Sequence, residues 1–407
     1  MALIKRFTQL FTTDSSNQPY DRMLAIISIS LLCIGLIIVS SASIPEGIAL
    51  SSDPFRFFKR HIIYVAISLV LLAVVLSLKV DLWYRYQWVI LLLSFSGLVA
   101  VLVVGTEVNG AHRWLRLGFF NVQPSEFAKL AMIFFLASYL ARKQKEVINT
   151  IKGFIKPLVL LTVFASLLVL QPDLGSTVVI VVIMMGMLFI ANARLLPFVW
   201  IGLSLLSAMV VLIISQPYRM ARVMGFLDPW EDPFGRSYQL TQSLMAFGRG
   251  GWFGEGLGNS VQKLEYLPEA HTDFIMAILA EELGFIGVSL VIILEFVLVY
   301  KAFSIGKKAL GQSFVFAGYV AIGIAIWFAF QTFVNVGAAS GMVPTKGLTL
   351  PLISYGGSSL LTIVVAVGLL LRIDFETRLS FQARLKKAKP RKKSKKQDTL
   401  RTVDEQQ

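Results

Sequence analysis

The sequence predicts an all-α polytopic integral membrane protein with ten transmembrane helices and both termini in the cytoplasm. Apolar residues make up 56% of its 407 residues and charged residues 15%, whereas soluble domains have about 45–50% apolar and about 25% charged residues. The mean hydropathy is +0.72, and a soluble fold of this length could not bury so much apolar surface. The composition therefore excludes ordinary cytosolic, disordered and collagen-like proteins.

Ten stretches approach the roughly 20 mostly apolar residues that a spanning helix needs. They are 23–43, 61–78, 87–105, 124–141, 156–171, 174–192, 195–215, 274–300, 313–336 and 348–371. A polar stretch precedes the first of them without a small-residue cleavage site, so we expect a retained helix rather than a signal peptide. An even number of spans puts both termini on one side of the membrane.

The distribution of basic residues orients these spans. With both termini inside, the inner side collects 26 Lys and Arg residues and the outer side 12, as the positive-inside rule requires. The tail at 372–407 dominates this contrast, because it holds 12 of the 38 basic residues. We expect it to contact anionic lipid headgroups or to bind a cytoplasmic partner, and we disfavour nucleic acid. The chain thus divides into a cytoplasmic segment at 1–22, a transmembrane domain at 23–371 and this tail.

One connection, residues 216–273, is long and falls on the predicted outer side. It contains six glycines between Gly248 and Gly258, which indicate either mobile turns or, together with Arg249, a set of backbone N–H groups that binds phosphate. The P-loop pattern of nucleotide-binding proteins is absent from the sequence. The single cysteine, Cys33, excludes a disulfide framework and a Cys-based zinc site.

Ionisable residues within or beside spans are functional candidates, because their burial in lipid is costly. Glu126 and Lys129 are three residues apart at the start of span four, so they share a helix face and can pair. Asp173 and Asp273 directly precede spans six and eight. Structural roles stay open for each of them, namely an ion pair that locks helices or a helix N-cap. Together with Lys346 they all fall at the outer ends of their spans, so we expect any chemistry to face outward.

An outward site at headgroup depth favours a lipid-linked substrate, since nucleotide-activated substrates are not supplied outside the cell. A carboxylate there can take a proton from an attacking hydroxyl, while Lys, Arg or a divalent metal stabilises a departing diphosphate. The stretch from Asn335 to Ser358 is rich in small residues and proline, with Lys346 as its only charge. Such backbone at membrane depth is expected to be buried in protein or to line a wet cavity.

Four segments resemble the signature of the SEDS family (shape, elongation, division and sporulation). They are Gln123-Pro124-Ser125-Glu126, Gln171-Pro172-Asp173, His271-Thr272-Asp273-Phe274 and Asn335 to Ser358. The resemblance covers about residues 20–373, and the segment from Pro344 to Thr349 is more similar to the division branch than to the elongation branch. It implies the SEDS fold and a peptidoglycan glycosyltransferase that polymerises lipid II into β-1,4-linked strands at the septum, on the outer face of the cytoplasmic membrane.

We predict Asp273 as the catalytic residue, in line with the essential aspartate that the resemblance implies. The predicted substrate-binding or supporting residues are Trp114, Glu126, Lys129, Asp173, Arg249, His271, Lys346 and Ser354. A divalent cation, Mg²⁺ or Mn²⁺, is a further expectation without assigned ligands. The partners implied by the family are lipid II, the nascent glycan strand, an FtsI-like class B penicillin-binding protein, and the division proteins FtsQ, FtsL and FtsB.

Two other functions stay open from the sequence. A lipid II flippase predicts ionisable residues spread across the membrane depth, whereas the candidates here cluster at one side and favour an enzyme. A non-catalytic division scaffold predicts that substitution of Asp273 leaves growth intact.

Overall fold

The computed structural model of the chain describes residues 21–108, 111–118, 120–193, 195–235, 237–344 and 347–388. These residues form twelve helices and one small antiparallel sheet. The helices are α1 (Arg22–Ser51), α2 (Arg56–Ser77), α3 (Val80–Val104), α4 (Pro124–Asn149), α5 (Ile151–Leu170), α6 (Leu174–Ile190), α7 (Leu195–Ile214), α8 (Pro217–Leu227), α9 (Tyr238–Gly250), α10 (Ile275–Gly311), α11 (Val315–Ala339) and α12 (Gly357–Ala388). The strands, in the spatial order β1-β2-β3, are β1 (Thr106–Val108), β2 (Ala111–Leu117) and β3 (Phe120–Val122).

Seven helices in the described ranges are long and apolar enough to cross a membrane, namely α1, α2, α3, α5, α10, α11 and α12. A shorter apolar helix, α6, accompanies them. Each of the ten predicted spans overlaps one helix of the structure. The prediction of a mostly helical membrane protein is therefore confirmed, although the small sheet departs from an all-α fold.

Helix α4 lies at the centre of the bundle. Every residue from Pro124 to Leu140 is buried except Phe127, and a helix that is buried on all sides belongs in the interior. Helices α3, α5, α6, α11 and α12 all contact it. The charged residues near its beginning are thereby carried into the protein interior rather than into lipid.

The structure differs from the sequence prediction at the last span. Helix α12 begins at Gly357 rather than at residue 348, and residues 347–356 run without helix. Pro351 lacks the backbone N–H that a continuing helix needs, and Leu352 has a positive φ of 61°. The helix continues past 371 to Ala388, so the predicted tail begins as helix, while residues 389–407 lie outside the described part.

Helix α10 is interrupted at Gly284, where φ is 67° and ψ is −166°. The glycine-rich stretch after α9 packs against this break: the N–H groups of Glu255 and Gly256 donate to the carbonyls of Glu281 (2.9 Å) and Glu282 (3.1 Å). These donors are used within the protein. The stretch is therefore fixed to α10 rather than forming free turns or offering these N–H groups to a phosphate.

Charged side chains join three helices at the opposite end of α10. Asp21 caps α1 by accepting from the N–H groups of Met23 (3.0 Å) and Leu24 (3.2 Å), and its carboxylate lies 3.0 Å from Lys301 Nζ of α10 and 3.8 Å from Arg378 of α12. Burial alone would raise the pKa of Asp21, but the hydrogen bonds and the two cations hold this pKa below its ordinary value.

We expect Gly284→Ala to lower the free energy of unfolding by at least about 2 kcal/mol, because left-handed backbone strains a side chain. Its Cβ would also lie 2.4 Å from the backbone N of Gly254 and 2.6 Å from the carbonyl O of Trp252. Gly311→Ala, at the end of the same helix, is the matched control, since its Cβ meets no atom of the described chain within 4 Å. The melting temperatures of the two purified variants in detergent measure the loss of stability. Equal melting temperatures for the two variants would contradict the account of the break.

Candidate active site

Asp273 lies half-buried just before α10 and is held through its main chain. The side-chain amide of Asn335 in α11 donates to the carbonyl of Asp273 (2.9 Å) and to that of Leu348 (2.7 Å). A Cβ placed on Gly347 would lie 3.0 Å from Asp273 Oδ2. The carboxylate therefore lies against the non-helical segment 347–356, at a position where the chain carries no side chain.

Asp173 approaches the same segment from α6. Its Oδ1 accepts from the N–H of Ser176 (3.1 Å), so the predicted N-cap role is confirmed. Its Oδ2 is buried without a hydrogen-bond partner among the described residues. A Cβ on Gly175 would lie 3.3 Å from Leu348 Cδ2, which puts the beginning of α6 beside the residue that Asn335 holds. Asp273 thus lies against Gly347, and the helix that Asp173 caps begins beside Leu348.

Glu126 and Lys129 form the predicted ion pair in α4. Lys129 is fully buried, with Nζ 2.7 Å from Glu126 Oε1, 3.4 Å from Gln331 Oε1 and 5.3 Å from the Trp327 ring centroid. The amide nitrogen of Gln331 donates to the carbonyl of Thr349 (2.7 Å). The side chain of Gln331 therefore connects the Glu126–Lys129 pair to segment 347–356.

One face of α11 carries these connections. Trp327, Gln331 and Asn335 are four residues apart and therefore lie along the same face, and Trp327 Nε1 donates to Gln331 Oε1 (2.6 Å). Gln331 is not among the residues that the sequence motifs single out. The spacing of polar side chains within an otherwise apolar helix is the signal that could have identified it.

The small sheet contacts the turn before Asp173. From β2, the guanidinium of Arg113 donates to the carbonyls of Gln171 and Pro172, a contact that the sequence analysis did not anticipate. The neighbouring Trp114 is half-buried, and its carbonyl accepts from Thr106 Oγ1 of β1 (3.3 Å). The sheet thus places Trp114 near the turn that orients the carboxylate of α6.

His271 and Ser354 shape the backbone around the site. His271 Nδ1 lies 3.0 Å from Glu46 Oε2 of α1, and the carbonyl of His271 accepts from the N–H of Tyr355 (3.0 Å). Ser354 Oγ accepts from the N–H of Leu350 (2.8 Å), which closes a turn within segment 347–356. The contacts in the structure therefore give both residues a positioning role.

Arg249 belongs to a different group of contacts, which surrounds the carboxylate of Glu281. At the end of α9 its Nε is 3.6 Å from Glu281 Oε1, and the carboxylate of Glu281 also accepts from the N–H groups of Val261 (3.1 Å) and Gln262 (3.2 Å). This cluster fastens the long connection to α10. Lys346, with its predicted substrate-binding role, lies outside the described residues.

A metal would need ligands beyond the protein at this site. The described part of the chain holds no group of three or more His, Cys, Asp or Glu side chains that could bind a metal ion. Two buried oxygens, Glu126 Oε2 and Asp173 Oδ2, have no hydrogen-bond partner there. Since Mg²⁺ is often held by one or two carboxylates with substrate phosphates, a shared site of this kind fits the residues, whereas a cage of protein ligands does not.

Comparison with known proteins finds relatives over most of the chain. The model of the FtsW/RodA/SpoVE family, described as cell cycle protein, matches residues 21–379. A relative from Aeromonas salmonicida, named "probable peptidoglycan glycosyltransferase FtsW", is 58% identical over 368 residues, which are 90% of this chain and 93% of the relative. A relative of the same name from Escherichia coli O157:H7 is 54% identical over 360 residues, covering 88% of this chain and 87% of the relative.

Two solved structures share the fold. One, described as structural coordination of polymerization and crosslinking by a peptidoglycan synthase complex, has a TM-score of 0.72 and 29% identity, and the match covers 88% of this chain and 98% of that one. The rod shape determining protein RodA of Thermus thermophilus has a TM-score of 0.64 and 28% identity, with coverage of 87% and 96%.

We expect Lys129→Met to lower the free energy of unfolding by about 3–5 kcal/mol, because it leaves a buried carboxylate without its cation. Adding Glu126→Gln should recover most of that loss by removing the uncompensated charge. Lys59→Met is the control, since its partner Asp53 is exposed and such pairs contribute at most about 1 kcal/mol. Unfolding of the variants in detergent is the measurement. A double variant no more stable than Lys129→Met would show that the two residues are not coupled.

Proposed function

Because the chain belongs to the FtsW/RodA/SpoVE family of cell cycle proteins, we propose that it is a peptidoglycan glycosyltransferase that polymerises lipid II during cell division. Relatives that are 54–58% identical carry the name of this activity. The observation that carries the proposal is that Asp273 lies against Gly347, while α6, which Asp173 caps, begins beside Leu348. Gln331 connects the Glu126–Lys129 pair to the same segment. These contacts support Asp273 as the base.

The proposed reaction is a single displacement. The 4-hydroxyl of the acceptor N-acetylglucosamine attacks the anomeric carbon of the donor, and the bond between that carbon and the diphosphate oxygen breaks. A β-1,4 glycosidic bond forms with inversion, and undecaprenyl diphosphate leaves with the electron pair. The hydroxyl proton passes to the carboxylate of Asp273. A positioned general base of this kind contributes about 10²- to 10⁴-fold to the rate.

The remaining residues support this step by position and charge. Lys129 is fully buried and paired, so we propose that it acts through the segment that Gln331 holds rather than by contact with substrate. A divalent cation, Mg²⁺ or Mn²⁺, held by Asp273 or Asp173 together with diphosphate oxygens, would neutralise charge on the leaving group. The proton transfer to Asp273 does not depend on that cation.

The proposed topology has ten spans, cytoplasmic termini and an active site that faces the periplasm at the septum. Its support is that each predicted span overlaps a helix and that the candidate residues gather at one end. The proposed partner is an FtsI-like class B penicillin-binding protein, supported by the likeness to a complex that combines polymerization with crosslinking. FtsQ, FtsL and FtsB are proposed as further members of the assembly, on family membership alone.

We expect Asp273→Asn to lower the rate of glycan polymerisation at least about 100-fold, because the amide cannot accept the proton. The assay uses purified protein with its transpeptidase partner and lipid II, and the products are resolved on gels. Glu255→Gln is the matched control, since it changes an exposed carboxylate of the same long connection and should keep full activity.

Full polymerisation by Asp273→Asn would refute the assignment. Lipid II movement across vesicles that contain no other flippase separates the enzyme from a transporter, because the enzyme predicts none above the protein-free rate.

A further inference from the structure

The turn after α9, residues 250–254, exposes two large aromatic side chains. Trp252 is 68% and Phe253 80% exposed, which is unusual for residues that water would surround. The turn itself has no charged residue, while Arg249 precedes it and Glu255 follows it. We call residues 250–254 the glycine turn.

The glycine turn continues the apolar surface of a membrane helix. The Trp252 ring packs edge to face on Phe285 of α10, with centroids 5.1 Å apart. Further along α10, Ile286, Leu290 and Ile293 are also more than half exposed, and this helix is long and apolar enough to span. An apolar surface that runs without interruption from a span onto the turn favours lipid as the occupant of both.

Two carbonyls of the glycine turn are paired with α10. The break at Gly284 removes helical partners from the neighbouring N–H groups of α10. The turn supplies replacements, because the N–H of Phe285 donates to the carbonyl of Gly251 (2.9 Å) and that of Ile286 to the carbonyl of Trp252 (3.2 Å). Non-helical backbone near membrane depth is tolerated where it packs against protein, and here the turn packs its backbone on α10 while its aromatic side chains are exposed.

The distance along α10 also places the turn at the edge of the membrane. Lys301, in its ion pair with Asp21, marks the charged boundary at the far end of α10. Phe285 is 16 residues away, or about 24 Å at the helical rise of about 1.5 Å per residue. The hydrocarbon core is about 30 Å thick. Phe285, and the Trp252 ring that packs on it, therefore fall within the far edge of the hydrocarbon, where tryptophan is preferred.

We propose that the glycine turn is a membrane anchor, with Trp252 and Phe253 inserted among phospholipids of the leaflet opposite the Asp21–Lys301 pair. The anchor is rigidly joined to the long connection, because the buried Lys263 contacts Glu282 (2.8 Å) just before the break. The lipid surface thereby fixes the height of the chain that leads to Asp273. This inference holds whichever reaction the site performs.

Spin labelling in lipid nanodiscs tests the anchor. In a Cys33→Ala background, a nitroxide is attached to Phe253→Cys, to the span control Ile293→Cys or to the water control Glu255→Cys. Collision rates with oxygen and with a water-soluble nickel chelate are then measured. We expect position 253 to match position 293, with a several-fold higher ratio of oxygen to nickel collisions than position 255. Nickel access at 253 equal to that at 255, or protection from both reagents by a protein partner, overturns the proposal.

A second measurement avoids the label. Brominated lipids quench tryptophans that touch acyl chains, so Trp252→Phe should reduce the quenched fraction of the total fluorescence. Trp327→Phe, which removes a fully buried ring, should raise that fraction by removing emission that lipid does not quench. Quenching that stays unchanged in Trp252→Phe contradicts insertion.

Discussion

Two hydrogen bonds hold the segment before α12 against α11 at the candidate site. Gln331 donates to the carbonyl of Thr349, and Asn335 donates to the carbonyl of Leu348. The carbonyls of Leu348 and Thr349 lie in a non-helical stretch before α12, and a bundle surrounded by lipid offers few alternative partners. Two side chains from one face of α11 supply them. The same two side chains reach Lys129 and the main chain of Asp273, so the positions of the ion pair, the segment and the carboxylate depend on one another.

This arrangement explains why charged residues are tolerated so near the membrane interior. Lys129 is surrounded by a carboxylate, an amide oxygen and an indole face, all within the protein. Asp173 satisfies one oxygen at a helix N-terminus, where the helix dipole favours an anion. Asp273 is only half-buried, and this difference in exposure suits a group that must meet a substrate. The proposed base is thus more exposed than the charged groups of Lys129 and Asp173, which the protein surrounds.

The sequence predicted the helices of the spans, because apolar length is a local signal, and the role of the candidate carboxylates stays a prediction. It did not predict what depends on contacts between distant segments. Pro351 and the small residues before α12 indicated irregular backbone, but its pairing with α11, and the pairing of the Gly284 break with the turn at 250–254, depend on the fold. Arg113 acts on a turn nearly 60 residues away, which no local pattern encodes. The glycine run was visible in the sequence, but its role as the partner of a broken helix appears only in the fold.

We propose that the position of the Asp273 carboxylate against Gly347 sets the rate of glycan polymerisation. The most direct test is the kcat of Gly347→Ala, because the added Cβ would lie 3.0 Å from Asp273 Oδ2. Gly202→Ala is the control, because its Cβ meets nothing within 4 Å in the described chain. The carboxylate would have to move by a few tenths of an ångström, and a misplacement of about 1 Å costs about 100-fold in rate. The account predicts a kcat at least about tenfold lower, with an unchanged melting temperature and little change in KM. A kcat equal to that of the control would contradict it.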